Sequence, residues 1–191
     1  VVVLSNNDGC VIARSNEAKA LGIPMGAPAF QFEKDFEDKG IHVFSSNYTL
    51  YGDMSNRVMN ILSTFTPEIE IYSIDESFLK FEGFEFYDLE TLGKQMIEKV
   101  YRHTGIPISV GLAKTKSLAK VANKIAKKFA EITGGVYAID SELKKEKALR
   151  WTKIGDVWGI GRQHEKRLLN IKIYNAWQFI QLPNEYARKE M

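Results

Sequence analysis

Glu68-Ile69-Glu70-Ile71-Tyr72-Ser73-Ile74-Asp75-Glu76-Ser77-Phe78-Leu79-Lys80-Phe81 is the stretch whose reading decides the fold. It is rich in β-branched and aromatic residues, so it reads as two short strands with Ser73 to Ser77 between them. Neighbouring side chains of a regular strand point to opposite faces. Asp75 and Glu76 therefore serve one site only where a turn or bulge re-aims one of them. Magnesium-like cations bind through one or two carboxylates, with waters and substrate phosphates completing the shell. An Asp-Glu pair at a hairpin tip suits that chemistry, although an isolated pair is more often a solvated turn.

The flanking segments change the balance. Tyr51, Met54, Val58, Leu62 and Phe65 recur at spacings of three and four and predict an amphipathic helix over Asn47 to Phe65, ended by Pro67. Asp88 caps a second helix that stops at Gly105, Ile108 to Leu112 is a short strand, and Val136 to Ile139 another. This alternation predicts an α+β layer in which helices cover one face of an antiparallel sheet. Between the last two strands, Leu118, Ala122, Ile125 and Phe129 form an apolar stripe, with Lys116, Lys120 and Lys127 on the opposite side and Lys124 and Lys128 flanking. A row of lysines is usually a solvated face. Beside paired carboxylates it acquires another use, because phosphoryl transfer needs metal ions on one side of the phosphates and fixed positive charge on the other.

At the start of the chain, Val1 to Leu4 and Cys10 to Ala13 flank a Ser-Asn-Asn-Asp-Gly turn and predict a hairpin. Ser15 is placed to cap a short helix over Asn16 to Leu21, and Gly22 to Gly40 reads as loop with one turn of helix at most. Towards the other end, Ser141 caps a charged helix that runs to about Arg150. Val157-Trp158-Gly159-Ile160-Gly161-Arg162 then sets an apolar-Gly-apolar-Gly pattern between short helices, a helix-hairpin-helix. Its glycines let backbone amides at a helix N-terminus approach a phosphate, with Arg162 and Lys166 adding charge. Such contacts position DNA without reading its sequence.

Composition sets bounds. The 191 residues are 45% hydrophobic and 26% charged, enough to bury a substantial core as one large domain or two to three small ones. No apolar run reaches transmembrane length and the first residues lack a signal peptide's basic flank, so a cytoplasmic protein with no membrane contact is expected. Cys10 is the single cysteine, which excludes an intrachain disulfide and a cysteine-rich zinc site. The net charge of +2 is uninformative; clustering of cations is what matters for a nucleic-acid partner.

Tyr72 to Phe78 resembles the second catalytic motif of the Y-family, or translesion, DNA polymerases. Four more stretches resemble the UmuC-like, ImpB-MucB-SamB branch in the same order: Asn6 to Arg14, Phe44 to Tyr48, Asp53 to Met59 and Asp156 to Arg162. The resemblance implies partial fingers over 1–46, a palm over 47–140 and a partial helix-hairpin-helix thumb over 141–191. It implies an error-prone, template-directed nucleotidyl transferase of DNA repair and the SOS response, with a two-metal magnesium site to which Asp75 and Glu76 give carboxylates. Lys127 would hold the incoming triphosphate. Asn16 and Lys19 stand where many members carry a Tyr and an Arg for the same grip, and Lys lacks the bidentate fork of Arg. Cys10 and Ile12, two apart on one strand face, would look onto the nascent base pair, and Gly159, Ile160, Gly161, Arg162 and Lys166 would hold DNA.

The implied partners are a DNA primer-template, deoxynucleoside triphosphates, a UmuD-like protein, the RecA filament and the sliding clamp. The strand with the family's first catalytic aspartate has no counterpart, so the chain is expected to be a piece cut at both ends and silent in primer extension. An unpaired sheet edge beside Asp75 would recruit another strand, and a homodimer is expected. Two other readings stay open: a non-catalytic DNA-binding module resting on the helix-hairpin-helix, and, more remotely, a nucleotide cyclase, which also sets carboxylates on a palm-like sheet.

Overall fold

Val1–Arg57 and the chain from Val58 onward form separate units, and each is described by itself. The computed structural model describes residues 1–84 and 86–190, the side chains of Lys189 and Glu190 excepted. Glu85 in the expected palm and Met191 at the end of the expected thumb lie outside the described residues.

In the first unit, β1 (Val2–Leu4) pairs antiparallel with β2 (Val11–Arg14) across the expected turn, where Asp8 takes a positive φ of 53°. Ser15 caps α1 (Asn16–Ala20) by accepting from the Ala18 amide at 3.3 Å. The segment expected as loop instead contains α2 (Ala29–Asp38). Its N-cap is Pro28, which offers no side-chain acceptor, so the usual start signal is missing. Phe36 on α2 packs into the core with Val2, Leu4, Val11 and Ile23. Stacking of Phe32 on Phe36 one turn apart, with ring centroids 6.4 Å apart, supports the helix. β3 (Val43–Phe44) completes the sheet, parallel to β1. The amphipathic α3 (Tyr48–Leu62) follows as expected and runs through the division between units.

The second unit begins its sheet structure with β4 (Ile69–Ile71) and β5 (Ser77–Leu79), an antiparallel hairpin in register from Ile69 opposite Leu79 to Ile71 opposite Ser77. Buried Thr66 ties the open end, its hydroxyl donating to the Lys80 carbonyl at 2.8 Å. α4 (Leu89–Thr104) is capped by Asp88 and stopped by Gly105 in the left-handed conformation, φ 71°. There follow β6 (Val110–Leu112), α5 (Lys116–Lys128), α6 (Ala130–Thr133), β7 (Val136–Ala138) and α7 (Glu142–Trp151). A 3-10 turn at Ile154–Asp156 leads to α8 (Arg162–Asn170), α9 (Ala176–Ile180) and α10 (Asn184–Glu190).

The architecture is α+β, but the expected single antiparallel sheet is replaced among the described residues by the β4–β5 hairpin and a separate β6–β7 pair that is parallel. The reason is the connection: the chain leaves β6 through α5 and α6 before returning as β7, and a helical crossover returns a strand in the same direction. α5 lies directly on β6. At Gly111 the strand meets the backbone of Ala119 and Asn123, with no room for a Cβ. The Asn123 amide donates to the Ser109 carbonyl at 2.7 Å and fastens that approach. Val121, Ala122 and Ile125 on the inner stripe of α5 pack with Ile139 and Ala148, which leaves its lysines outward.

Candidate functional site

Residues 72–76 form the hairpin loop, because strand pairing ends at Ile71 and Ser77. The amides of Tyr72 and Ser73 both donate to the Glu76 carbonyl, each at 3.0 Å, which breaks the alternation of the strands and frees the two carboxylates from opposite-face geometry. Asp75 Oδ1 accepts from the Ser73 hydroxyl at 2.6 Å. Glu76 Oε1 accepts from the Lys120 ammonium at 2.7 Å, with 25% of the Lys120 side chain and 44% of Glu76 exposed.

α5 meets the hairpin and the 3-10 turn along one stripe. Lys116 pairs with Glu70, Lys120 with Glu76, and Lys124 with Asp156 at 2.6 Å. A spacing of four places these lysines one above the other. Aromatic rings surround the first two. Lys116 lies over Phe78 at 5.3 Å, and Lys120 lies 5.2 Å from the Tyr72 ring and 5.8 Å from that of Trp158. Trp158 also donates through its indole N–H to the Tyr72 hydroxyl at 3.1 Å, so the segment before α8 is docked on the hairpin. Tyr72, Phe78 and Trp158 touch pairwise, with centroids 5.4 to 5.9 Å apart.

Lys127 lies elsewhere on the helix, about 10 Å beyond Lys120 along its axis. It lines a cleft of about 620 Å³ with Lys124, Lys128, Trp151, Lys153 and Asp156. Gly159 takes a φ of +92°, which its lack of a Cβ allows, and Gly161 is the N-cap of α8. Among the described residues no side chain caps the first-turn amides of α8, and Gly159, Gly161, Arg162 and Lys166 are exposed while Ile160 is half-buried. The remaining candidates belong to the first unit. Asn16 Oδ1 accepts from Lys19 Nζ at 3.2 Å on the exposed side of α1. Val11 is fully buried and Ile12, which the register between β1 and β2 skips, is 40% exposed, while Cys10 just before β2 is half-buried, so regular alternation does not set their common face.

Asp75 Oδ2 and Glu76 Oε2 accept no bond from a described residue, and carboxylate oxygens are the donors a hard divalent cation takes. Among the described residues no group of three or more His, Cys, Asp or Glu could hold an ion alone, so phosphates and water would complete the shell. Lys120, Tyr72 and Trp158 are the site residues whose roles the local pattern did not single out. The lysine spacing marked the face of α5 but not its carboxylate partners.

Among the described residues no helix is long and apolar enough to cross a membrane. Comparison with known proteins gives a consistent placement. The chain is 46% identical over 177 residues to protein UmuC of Salmonella typhimurium strain LT2, a match covering 92% of this chain and 42% of that protein. It is 30% identical over 167 residues to DNA polymerase IV 2 of Mesorhizobium japonicum, covering 86% of this chain and 38% of the relative. The fold matches the crystal structure of DinB from Sulfolobus solfataricus with a TM-score of 0.77 and 25% identity, over 98% of this chain and 54% of that one. The chain thus spans less than half the length of these curated relatives. The family model described as impB/mucB/samB matches residues 1–124, and the chain belongs to that family.

Proposed function

We propose that this chain is the catalytic segment of an error-prone translesion DNA polymerase that adds deoxynucleotides to a primer under the direction of a template. The observation that carries the proposal is the apposition of the Asp75–Glu76 loop to the cationic face of α5, tied by the Glu76–Lys120 pair at 2.7 Å. Asp75 and Glu76 hold magnesium, which when bound neutralises charge on the reacting phosphates. Lys120 fixes the Glu76 carboxylate through Oε1, and its contacts with Tyr72 and Trp158 restrict where that ammonium can go. Lys127, about two turns further on, supplies fixed positive charge to the triphosphate.

The first unit by itself offers Asn16 and Lys19 for phosphate and Cys10 and Ile12 for the apolar side of a base pair. The α8 entrance, with Gly159, Ile160, Gly161, Arg162 and Lys166, holds duplex backbone through amides and charge. A UmuD-like protein, the RecA filament and the sliding clamp are the protein partners proposed on the family resemblance, and a second copy of the chain is proposed on the argument from an unpaired sheet edge. The domain division into fingers over 1–46, palm over 47–140 and thumb over 141–191 is proposed on the same ground.

The test is primer extension by the intact protein with Asp75→Asn and Glu76→Gln. Each should lower template-directed incorporation on the order of 10²- to 10³-fold while primer-template binding persists. Full incorporation by both variants would refute the assignment.

A further inference from the structure

The hairpin carboxylates use only the first part of the α5 lysine face. The remainder opens on the cleft of about 620 Å³ lined by Lys124, Lys127, Lys128, Trp151, Lys153 and Asp156. Lys124 is neutralised there by Asp156, whereas Lys127, Lys128 and Lys153 carry no ion pair among the described residues. The Trp151 indole is 38% exposed and is braced by Phe129, with ring centroids 5.6 Å apart and the planes tilted by 58°. A braced indole offers a planar surface at little cost in conformational freedom. A volume of this size is in the range of ligand sites, and three unpaired ammonium groups around an aromatic face are complementary to phosphates that carry a flat base.

We propose that the Trp151 cleft binds an unpaired segment of single-stranded DNA, with a base stacked on Trp151 and its flanking phosphates on Lys128 and Lys153. Base–aromatic stacking tolerates any sequence because every base has a π face, and lysines that track the backbone add affinity that depends on salt. An acidic peptide would satisfy the lysines but leave the indole without a planar partner. A free nucleotide has the same chemistry as a nucleotide of the strand, but it can occupy only one stacking position and supplies no phosphodiester on the far side of the base. The inference goes beyond the polymerase reading, because Trp151, Lys128 and Lys153 have no part in the catalytic assignment.

The test uses Trp151 as its own reporter. The sequence has three tryptophans, and Trp158→Phe with Trp177→Phe leaves Trp151 as the sole indole. Titration with a ten-residue oligothymidylate should quench its fluorescence, whereas dTTP should act only at much higher concentration and an oligoglutamate peptide should not act. Anisotropy of a labelled oligothymidylate on the otherwise unchanged chain decides independently of that background. There, Trp151→Leu should weaken binding roughly 5- to 150-fold, and Lys153→Gln or Lys128→Gln should each reduce the salt slope by about 0.7. Equal quenching by dTTP or the peptide, or unchanged affinity and slope in the variants, would overturn the proposal. A labelled primer-template duplex run alongside separates the two readings. An intact protein that binds the duplex and extends primers but does not bind oligothymidylate refutes the cleft alone, and one that binds oligothymidylate through Trp151 but extends no primer refutes the polymerase assignment alone.

Discussion

Gly111→Ala is the substitution most strongly constrained by the packing. A Cβ built at Gly111 would lie 2.1 Å from the Asn123 amide nitrogen and 2.3 Å from the Ala119 carbonyl oxygen. Both are more than about 1 Å inside an ordinary contact. Both belong to the backbone of α5, so no rotamer change relieves them, and the helix must move off β6 and stretch the Asn123–Ser109 bond. Overpacking of this kind costs about 1–3 kcal/mol where side chains can adjust, and a backbone collision belongs at the upper end, about 3 kcal/mol. For a chain of this size that is a fall in Tm of roughly 6–12 °C. Gly155→Ala is the matched control. Its Cβ would meet Glu165 Oε1 at 2.1 Å, the end of a flexible side chain that can swing away, so the expected change is within about 0.5 kcal/mol. Thermal unfolding followed by circular dichroism compares the two. A Gly111→Ala protein that melts within 2 °C of the parent, or no lower than Gly155→Ala, would refute the claim that direct backbone contact seats α5.

Trp158→Ala removes the indole bond to Tyr72 and the ring contacts with Tyr72 and Phe78, and should lower stability in denaturant unfolding by about 2 kcal/mol; Trp158→Phe should recover about half of that. Asp88 is held below the usual aspartate range first by the Thr91 hydroxyl and then by the Thr91 and Glu90 amides. Its contribution is therefore present above the ordinary value near 4 and is lost as pH falls through its own lowered value. Asp88→Asn, which can still cap but does not titrate, should flatten the acid limb of a Tm-against-pH curve, and an unchanged acid limb would count against that cap.

The parts of the fold that were legible in the sequence are those encoded within a few residues. The α5 stripe, the Ser15, Asp88 and Ser141 caps, and the turn at Asp75–Glu76 each follow from local spacing or from a side chain that bonds a nearby amide. α2 was not legible, because Pro28 supplies no cap and the mixed charges around Phe32 and Phe36 dilute the apolar stripe. The direction of β7 was not legible either, since a strand pattern carries no information about which way its partner runs. The site shows the same limit at longer range. Asp75 and Glu76 could be found from one heptapeptide, but Lys120 pairs with Glu76 across 44 positions and Trp158 reaches Tyr72 across 86. Such pairings depend on α5 being seated on β6, which is a property of the packed sheet and helix and leaves no mark in either segment alone.

The distribution of paired charge along α5 links the site to its chemistry. Lys116, Lys120 and Lys124 are each matched by a carboxylate, whereas Lys127 and Lys128 in the last turn have none among the described residues. The helix dipole places partial negative charge at that end, which stabilises the two unmatched ammonium groups and draws no further carboxylate to them. A polyanion approaching the helix therefore meets its attractive field at the C-terminal turn. Towards the hairpin the balance reverses, because Glu70, Asp75 and Glu76 outnumber Lys116 and Lys120. A phosphate chain anchored at Lys127 and extended towards the hairpin thus runs from excess positive charge to excess negative charge. At the close range of a reacting phosphate, like charges repel strongly unless a cation lies between them. On the polymerase reading, the requirement for a divalent ion at Asp75 and Glu76 then follows from the chain's own charges. On that reading the lysines would bring the phosphate to the helix, and a metal held by the hairpin would let it come the rest of the way.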